Sequence, residues 1–462
     1  MTATDGDSPA REASVAFEDG EPRPAGGLLR ILGVAFGLAV IVGSTLGIGI
    51  LRTPGLVAAQ LTSRTSILAV WLVGGLYTLL GSVCLTELGT MLPEAGGYYV
   101  YARRAFGNTV GFAVGWSDWI TYCAVLGYVT IAMGEFAAVL LPSLEPAVKL
   151  VAVGLLVSFA LLQWAGLRLS SRFQEVATAI KCLAFLALVA ACFAHAAASP
   201  APAAHGAAVP SPALGLAGLV VALQSVVITY GGWQSALYFT EEDRDPRRNL
   251  PRAMIGGVSL VIVIYLLVNL ALLSVLSVGD LARSTLPAAD VAKVIIGARG
   301  AAIITLLSLV SLPPLVNAIL MIGTRILFAL GRDGLLWRGT AAVNARGTPV
   351  TATVVTTAVA AVLILSGTFQ KLVAVASFFL AVNYCVCCLA LVALRRREPT
   401  TERPFRAWGY PWSVGIVLAG AVAFLAGVLL GDTRTALVAT ALLAAGLLGK
   451  VWSNARGRDA AR

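Results

Sequence analysis

Charged side chains are scarce in this chain. Only 12% of its 462 residues are Asp, Glu, Lys or Arg, whereas 58% are hydrophobic. Soluble globular domains carry about 25% charged residues, so this composition leaves too little polar surface for a soluble protein. The sequence therefore predicts an all-α integral membrane protein, because helices satisfy their own backbone groups in lipid.

Histidine is also scarce. The chain has two, His195 and His205, in or beside an Ala- and Pro-rich loop at 195-212. The predicted membrane spans hold no histidine pair and no Asp/Glu dyad, which a membrane-embedded enzyme would need. A phosphate-binding glycine loop is missing, so ATP-driven pumping is not supported. A channel would need a continuous polar pore. We expect no enzymatic activity and no cofactor.

The cysteines all fall inside the predicted membrane spans, so no extracellular disulfide framework is indicated. Three of them share one helix, and a metal site there is the alternative interpretation. No histidine accompanies them, and buried cysteine usually behaves as a small hydrophobe. We therefore expect no metal site. The seven cysteines are Cys84, Cys123, Cys182, Cys192, Cys385, Cys387 and Cys388.

Long apolar runs are abundant. A membrane-spanning helix needs about 20 such residues. On that basis we predict twelve spans, near 31-58, 66-91, 107-141, 146-166, 173-196, 213-240, 250-278, 290-331, 349-367, 369-394, 410-430 and 435-453.

The basic residues follow membrane topology rather than a nucleic-acid surface. With the N-terminus in the cytoplasm, 24 of the 33 basic residues lie inside and 7 outside, with Arg52 and Lys181 at membrane depth. This bias agrees with the positive-inside rule and places both termini in the cytoplasm. The polar start of the chain shows no signal peptide. We predict a disordered cytoplasmic N-terminal tail at 1-30 and a cytoplasmic C-terminal tail at 454-462.

Glycines interrupt the first apolar segment. Residues 43-50 read GSTLGIGI, followed by Arg52 and Pro54. Close packing of small residues four apart is the alternative explanation, but it does not account for Gly49. We predict a broken helix whose free N–H groups at Ile48 and Gly49 favour an anion such as a carboxylate.

A second interruption lies about halfway along the chain, where residues 229-233 read TYGGW. This break would free carbonyl oxygens around Ile228 and Gly231, which favour a cation such as an ammonium. Broken membrane helices survive only where they line a protein-enclosed cavity. Together the breaks predict a site for the two ends of a zwitterionic amino acid.

Lys181 is the most unusual charge at membrane depth, since it lies in the apolar stretch ATAIKCLAF at 177-185. A charge near mid-membrane costs about 2.5–3.5 kcal/mol on insertion scales. A snorkelling or purely structural ammonium is one interpretation. The other is a cation held, or a proton carried, beside the substrate cavity. Glu87 and Asp118 lie near cytoplasmic ends, where pairing with loop arginines would explain them.

These motifs, in this order, resemble the amino acid, polyamine and organocation (APC) superfamily, and within it the L-type amino acid transporter branch. The match covers nearly the whole chain after residue 30. It is carried by residues 43-50 with RTP at 52-54, by TELGTMLPEAGGYY at 86-99, by YGGW at 230-233, and by TEE at 240-242 and NLP at 249-251.

The resemblance implies a five-plus-five inverted repeat with discontinuous helices 1 and 6. The ten-helix core would occupy 31-394, with repeat one at 31-196 and repeat two at 213-394. Two further helices would lie at 410-453. Animal L-type transporters join a partner glycoprotein through a cysteine between helices 3 and 4. The corresponding loop, 142-146, has none, so we expect no disulfide-linked heavy chain, and a homodimer stays open.

The resemblance also assigns roles to individual residues. The substrate carboxylate would meet the N–H groups of Ile48 and Gly49, and its amine the carbonyls of Thr45, Ile228 and Gly231. Lys181 matches a lysine that replaces a sodium ion in sodium-independent relatives. L-type members have a gating phenylalanine where Ile228 stands, so Tyr230 or Trp233 is the candidate gate. The side-chain pocket would be formed around Thr45, Tyr122, Gln234 and Asn317.

The sequence thus predicts a secondary transporter for amino acids in the plasma membrane, working by alternating access. None of the expected pocket residues is an acid, so neutral substrates are favoured. A cationic amino acid or polyamine antiporter and a non-transporting amino acid sensor are the alternatives. Lys181 permits proton symport if it titrates, or sodium-independent exchange if it stays charged.

Overall fold

The structure of the protein, a computed structural model, describes residues 27–61, 63–198, 215–367, 369–431, 437–441, 443–444 and 446–447. Most of the predicted tails at 1-30 and 454-462, His205 and parts of the predicted span at 435-453 lie outside these residues. Nearly all regular structure in the described ranges is helical, with two isolated β-bridges.

The first half of the chain forms eight α-helices. They are α1 Val34–Thr45, α2 Gly49–Ala58, α3 Arg64–Met91, α4 Tyr98–Phe106, α5 Asn108–Leu140, α6 Val148–Trp164, α7 Leu167–Ala198 and α8 Leu216–Thr229. The 3₁₀ helix Trp233–Phe239 follows α8 after a break at residues 230-232. A broken helix therefore begins each half of the described core.

The second half continues with eight more helices. They are α9 Pro246–Val275, α10 Val278–Arg283, α11 Pro287–Ile296, α12 Gly300–Ser311, α13 Pro313–Arg332, α14 Val350–Ser366, α15 Phe369–Arg397 and α16 Trp412–Gly431. The span predicted as one segment at 290-331 is interrupted. Pro313 and Pro314 supply no N–H group to a helix ladder, so a new helix starts at Pro313.

Within the described residues, eight helical segments are long and apolar enough to cross a membrane, and the bent pair α1–α2 makes nine. The bend between α1 and α2 is 48°. Two predicted spans are shorter, since α14 has 17 residues and α8 has 14 before its interruption. The chain is thus a multi-pass helical membrane protein, as its composition predicts.

The broken helix α1 occupies the centre of the molecule. It packs against α7, α9, α13 and the 3₁₀ helix Trp233–Phe239, and its second half, from Ala39 to Thr45, is buried. No charged residue occurs in α1, which suits a helix surrounded by protein. This packing brings both interrupted segments to the middle of the bundle.

Candidate functional site

The first interruption ends α1 at Thr45 and starts α2 at Gly49. Leu46 leaves the helix with an extended backbone, and its N–H still bonds to the carbonyl of Val42. The amides of Ile48 and Gly49 have no backbone acceptor among the described residues. These are the free N–H groups that a helix start provides.

The second interruption follows Thr229. The N–H of Gly231 bonds to the carbonyl of Ile228 at 2.9 Å, and Gly232 then adopts a left-handed φ of 111°. A Cβ on Gly232 would lie 2.6 Å from the carbonyl oxygen of Ser44. Only glycine permits this close approach. The two breaks therefore touch each other through their backbones.

A tyrosine and a threonine pair join the two breaks. The hydroxyl of Tyr265, on α9, lies 2.6 Å from the carbonyl oxygen of Thr45 and 2.9 Å from that of Thr229. Thr53 and Thr229 share a hydrogen bond of 2.8 Å between their hydroxyls. The Thr45 carbonyl, assigned above to a substrate amine, thus already has a donor nearby, although a carbonyl can accept a second hydrogen bond.

Lys181 lies directly against the first break. Its side chain is completely buried, and its Nζ donates to the carbonyls of Gly43 and Leu46, each at 2.7 Å. Both carbonyls belong to the end of α1, where helix acceptors lack intrahelical partners. The lysine cation is therefore a ligand of the interrupted backbone.

A cavity of about 180 Å³ lies beside the two breaks. Five of the predicted site residues line it: Tyr122, Ile228, Gly231, Trp233 and Gln234. Six others do not: Thr45, Ile48, Gly49, Lys181, Tyr230 and Asn317. Asn317 is buried between α13 and α7, where its amide donates to Gln174 at 3.0 Å. Tyr230 is buried against Trp71 and Tyr265.

The cavity wall is largely apolar, and none of the described residues that form it is charged. Its polar groups include the amide of Gln234, which lies within 3.5 Å of the Tyr122 hydroxyl and 3.3 Å of the Tyr384 hydroxyl. The Ser44 hydroxyl, beside the first break, is buried without a hydrogen-bond partner among the described groups. An uncharged cavity with one unpartnered hydroxyl suits a small polar ligand with an uncharged side chain.

One side of the cavity is supplied by α16, through Val417, Ala421 and Phe424. We call these three residues the α16 wall. Beside Val417, Gly81 of α3 leaves room for Trp233, since a Cβ at this position would lie 3.2 Å from the indole and 3.9 Å from Val417. The α16 wall was not predicted, because an apolar helix gives no sign of which of its residues face a cavity.

Aromatic rings close the cavity at the α4 end of the bundle. Trp233 packs against Tyr384 at 5.7 Å between ring centroids, and Tyr238 packs against Tyr122 at 5.4 Å and Tyr98 at 5.7 Å. Of the two candidate gating residues, Trp233 therefore belongs to the cavity, whereas Tyr230 packs behind it.

Ion pairs close the same end further out. Arg325 holds Glu242 through two hydrogen bonds of 3.0 and 2.8 Å in a fully buried pair. Burial raises the pKa of Glu242, and the guanidinium of Arg325 opposes that rise. Arg332 contacts Glu241 at 2.6 Å, and Arg103 contacts Asp333 at 2.5 Å. These pairs tie α4, α13 and the segment after the 3₁₀ helix together.

The two acids expected to pair with loop arginines differ. Glu87 pairs with Arg395 in the last turn of α15 at 2.5 Å and with one loop arginine, Arg403, at 3.2 Å. For Asp118 the expectation is wrong. Its carboxylate accepts a hydrogen bond from the hydroxyl of Tyr238 at 2.8 Å and lies 3.5 Å from the amide of Asn383.

Comparison with known proteins identifies the family of this chain. A family model described as amino acid permease matches residues 32–449. The chain is 26% identical to the serine/threonine exchanger SteT of Bacillus subtilis (strain 168), over 88% of this chain and 93% of that protein. It is 27% identical to the b(0,+)-type amino acid transporter 1 of Oryctolagus cuniculus, over 86% and 82% of the two chains. It is 29% identical to the Asc-type amino acid transporter 1 of Mus musculus, over 82% and 73%. The chain therefore belongs to the amino acid permease family, within the APC superfamily.

Proposed function

We propose that this protein is a secondary transporter that moves neutral amino acids across the plasma membrane by alternating access, without sodium. The observation that carries the proposal is the uncharged cavity beside two touching helix breaks. An acidic residue in the wall would be expected for a lysine, arginine or polyamine carrier, because a buried cationic side chain needs a counter-charge.

The backbone of the substrate is recognised by the breaks themselves. Its carboxylate binds at the start of α2, where the N–H groups of Ile48 and Gly49 and the helix dipole favour an anion. Its ammonium group binds carbonyl oxygens of Ile228, Gly231 and Thr45. The unpartnered hydroxyl of Ser44 adds one further hydrogen bond beside this position.

The substrate side chain extends toward the α16 wall. Tyr122 and Gln234 supply the polar part of its surroundings, and Val417, Ala421 and Phe424 the apolar part. Trp233 acts as the gate, since it lines the cavity and packs against Tyr384. Asn317 supports α7 rather than contacting the substrate, because its amide is engaged by Ser170 and Gln174.

Lys181 makes sodium unnecessary. Its ammonium group contacts two carbonyl oxygens at the end of α1. In sodium-coupled transporters, carbonyl oxygens at a broken helix coordinate the sodium ion. A fixed cation at this position stabilises the interrupted backbone in every state of the cycle.

The curated relatives support an amino acid as substrate, since their names describe a serine/threonine exchanger and amino acid transporters. We place both termini in the cytoplasm, following the charge bias of the loops. In this arrangement the aromatic and ionic closure at the α4 end faces the cytoplasm. We propose no disulfide-linked heavy chain, because the loop at 142-146 carries no cysteine.

A competition screen tests the substrate class. Purified protein in liposomes preloaded with unlabelled alanine would take up labelled alanine against a panel of neutral, acidic and cationic amino acids and putrescine. We expect neutral amino acids to compete and cationic ones not to. Competition by cationic compounds alone would indicate the antiporter alternative, and binding without uptake would indicate the sensor.

A further inference from the structure

The carboxylate of Asp118 is buried without a cation. It is 1% exposed, and no Lys, Arg or His in the described part of the chain forms an ion pair with it. The groups that face it come from α4, α5, the 3₁₀ helix and α15, and all are uncharged in their ordinary forms. They are Tyr98, Ser117, Tyr122, Tyr238, Asn383, Tyr384 and Cys387.

Asp118 differs in this respect from the other fully buried acids. Among the described residues these are Glu87 and Glu242, and each is held by arginine. An ionised carboxylate buried in the protein without a counter-charge is strongly disfavoured. The surroundings of Asp118 therefore suit a neutral carboxylic acid better than a carboxylate.

The hydrogen bonds around Asp118 also fit a neutral carboxylic acid. Ser117 has one hydroxyl proton, and its Oγ lies 3.0 Å both from the carbonyl of Val114 and from the amide oxygen position of Asn383. If Ser117 donates to its own helix, Asn383 must offer its NH₂ group to Ser117, since the amide oxygen and nitrogen have the same shape. The amide oxygen of Asn383 then faces Asp118, where a carboxylic acid O–H can donate to it.

Two tyrosine rings connect Asp118 with the substrate cavity. Tyr238, which donates to Asp118, packs edge-to-face on Tyr122, and Tyr122 lines the cavity beside Gln234. Tyr238 belongs to the 3₁₀ helix Trp233–Phe239, which continues directly from the second break. Any movement of that segment during transport therefore changes the surroundings of Asp118.

We infer that Asp118 carries a proton that moves together with the amino acid. The inference rests on the proposed function and names the coupling ion. Asp118 is protonated while Tyr238 of the 3₁₀ helix contacts α5. When that segment separates and water enters, the O–H bond of the acid breaks and the proton passes to water on the α4 side. The carboxylate takes a proton from the opposite side before the next substrate is enclosed. Lys181 remains the fixed cation.

The test uses the full-length protein in liposomes without internal amino acid, with a pH-sensitive dye trapped inside. An inward proton gradient should drive accumulation of labelled alanine in the parent, with acidification of the interior. Asp118→Asn keeps the shape of the acid and an acceptor for Tyr238. We expect gradient-driven accumulation to fall by at least about tenfold, while alanine exchange in preloaded vesicles stays within about fivefold of the parent.

Two variants distinguish an Asp118 that carries a proton from an Asp118 that is only an anchor, meaning a residue that holds the 3₁₀ helix through its hydrogen bond to Tyr238. Glu135→Gln removes an exposed acid from the same helix and should leave proton movement intact. Tyr238→Phe removes the hydrogen bond to Asp118 but keeps the ring contacts, and it should retain proton movement. If Tyr238→Phe loses proton-driven accumulation as fully as Asp118→Asn does, Asp118 is an anchor and the inference is overturned.

The remaining outcomes are also decisive. Proton-driven accumulation by Asp118→Asn, or exchange by the parent without any proton movement, would overturn the inference and leave the proposed function standing. A parent that neither exchanges nor accumulates any amino acid would overturn both. If Asp118→Asn is inactive in both assays, Asp118→Glu decides, since a retained carboxyl group should restore proton movement and its failure to do so would contradict the assignment.

Discussion

The ammonium Nζ of Lys181 lies 2.7 Å from the carbonyl oxygen of Gly43, at the point where α1 ends inside the protein. The same ammonium contacts the carbonyl of Leu46 at 2.7 Å. Lysine has three N–H donors and no acceptor, so it can serve several orphaned carbonyls at once. This contact connects α7 to the broken helix beside the candidate substrate site.

Replacing Lys181 with alanine should reduce amino acid uptake by at least about tenfold, because a lost hydrogen bond from a charged donor costs about 1.5–3 kcal/mol. The measurement is the initial rate of labelled alanine uptake into preloaded liposomes. Lys149→Ala is the matched control, since Lys149 is exposed and contacts the carbonyl of Leu365. Parent-like uptake by Lys181→Ala would contradict the assigned role.

Gly232→Ala should abolish uptake. Its Cβ would lie 2.6 Å from the carbonyl oxygen of Ser44, and its left-handed backbone is unfavourable for alanine. The two breaks would have to move apart. Gly154→Ala on α6 serves as control, because a Cβ there meets nothing within 4 Å. Equal uptake rates for these two variants would show that the contact between the breaks is dispensable.

Ser44→Ala should weaken substrate binding without weakening the fold. The Ser44 hydroxyl has no hydrogen-bond partner among the described groups, so its removal leaves none of these groups without a partner. A neutral hydrogen bond contributes about 0.5–1.5 kcal/mol, which corresponds to a KM higher by about two- to tenfold. Ser82→Ala removes another unpartnered buried hydroxyl, from a residue that does not line the cavity, and should leave KM unchanged. An unchanged KM in Ser44→Ala would remove this residue from the site.

Ala421→Phe should shift substrate preference toward small side chains. Ala421 belongs to the α16 wall and is 2% exposed, so a phenyl ring there would occupy cavity volume. We expect competition by leucine to weaken by at least about tenfold and competition by alanine to change little, because one methylene in an apolar pocket is worth about 1–3 kcal/mol. Equal losses for both competitors would show that substrates do not reach this wall.

The sequence predicted the two breaks because glycine clusters in apolar segments conflict with continuous helices in lipid. It also identified Lys181 as unusual, because an isolated charge near mid-membrane is costly, but it left open whether the ammonium group snorkels, pairs structurally or serves the substrate cavity. Five of the predicted site residues line one cavity. Four of them lie in or beside the glycine-containing break at 229-233, whereas no glycine pattern indicated the fifth, Tyr122.

The long-range partners could not be predicted in the same way. Asp118 and Tyr238 are 120 positions apart, and neither helical periodicity nor hydropathy indicates which distant helix a polar residue faces. No role was predicted for Tyr265 for the same reason. A single tyrosine in an apolar helix does not indicate that its hydroxyl contacts both helix breaks. Asn317 was placed in the pocket on resemblance, but its amide is directed to α7.

The most direct test of the account is uptake of a labelled neutral amino acid by the purified protein in sodium-free liposomes, with and without the same amino acid inside. We predict saturable uptake that unlabelled neutral amino acids block and that added sodium does not stimulate. Uptake that requires sodium would contradict the role of Lys181. No uptake of any amino acid would contradict the assignment of the two helix breaks to a zwitterionic substrate.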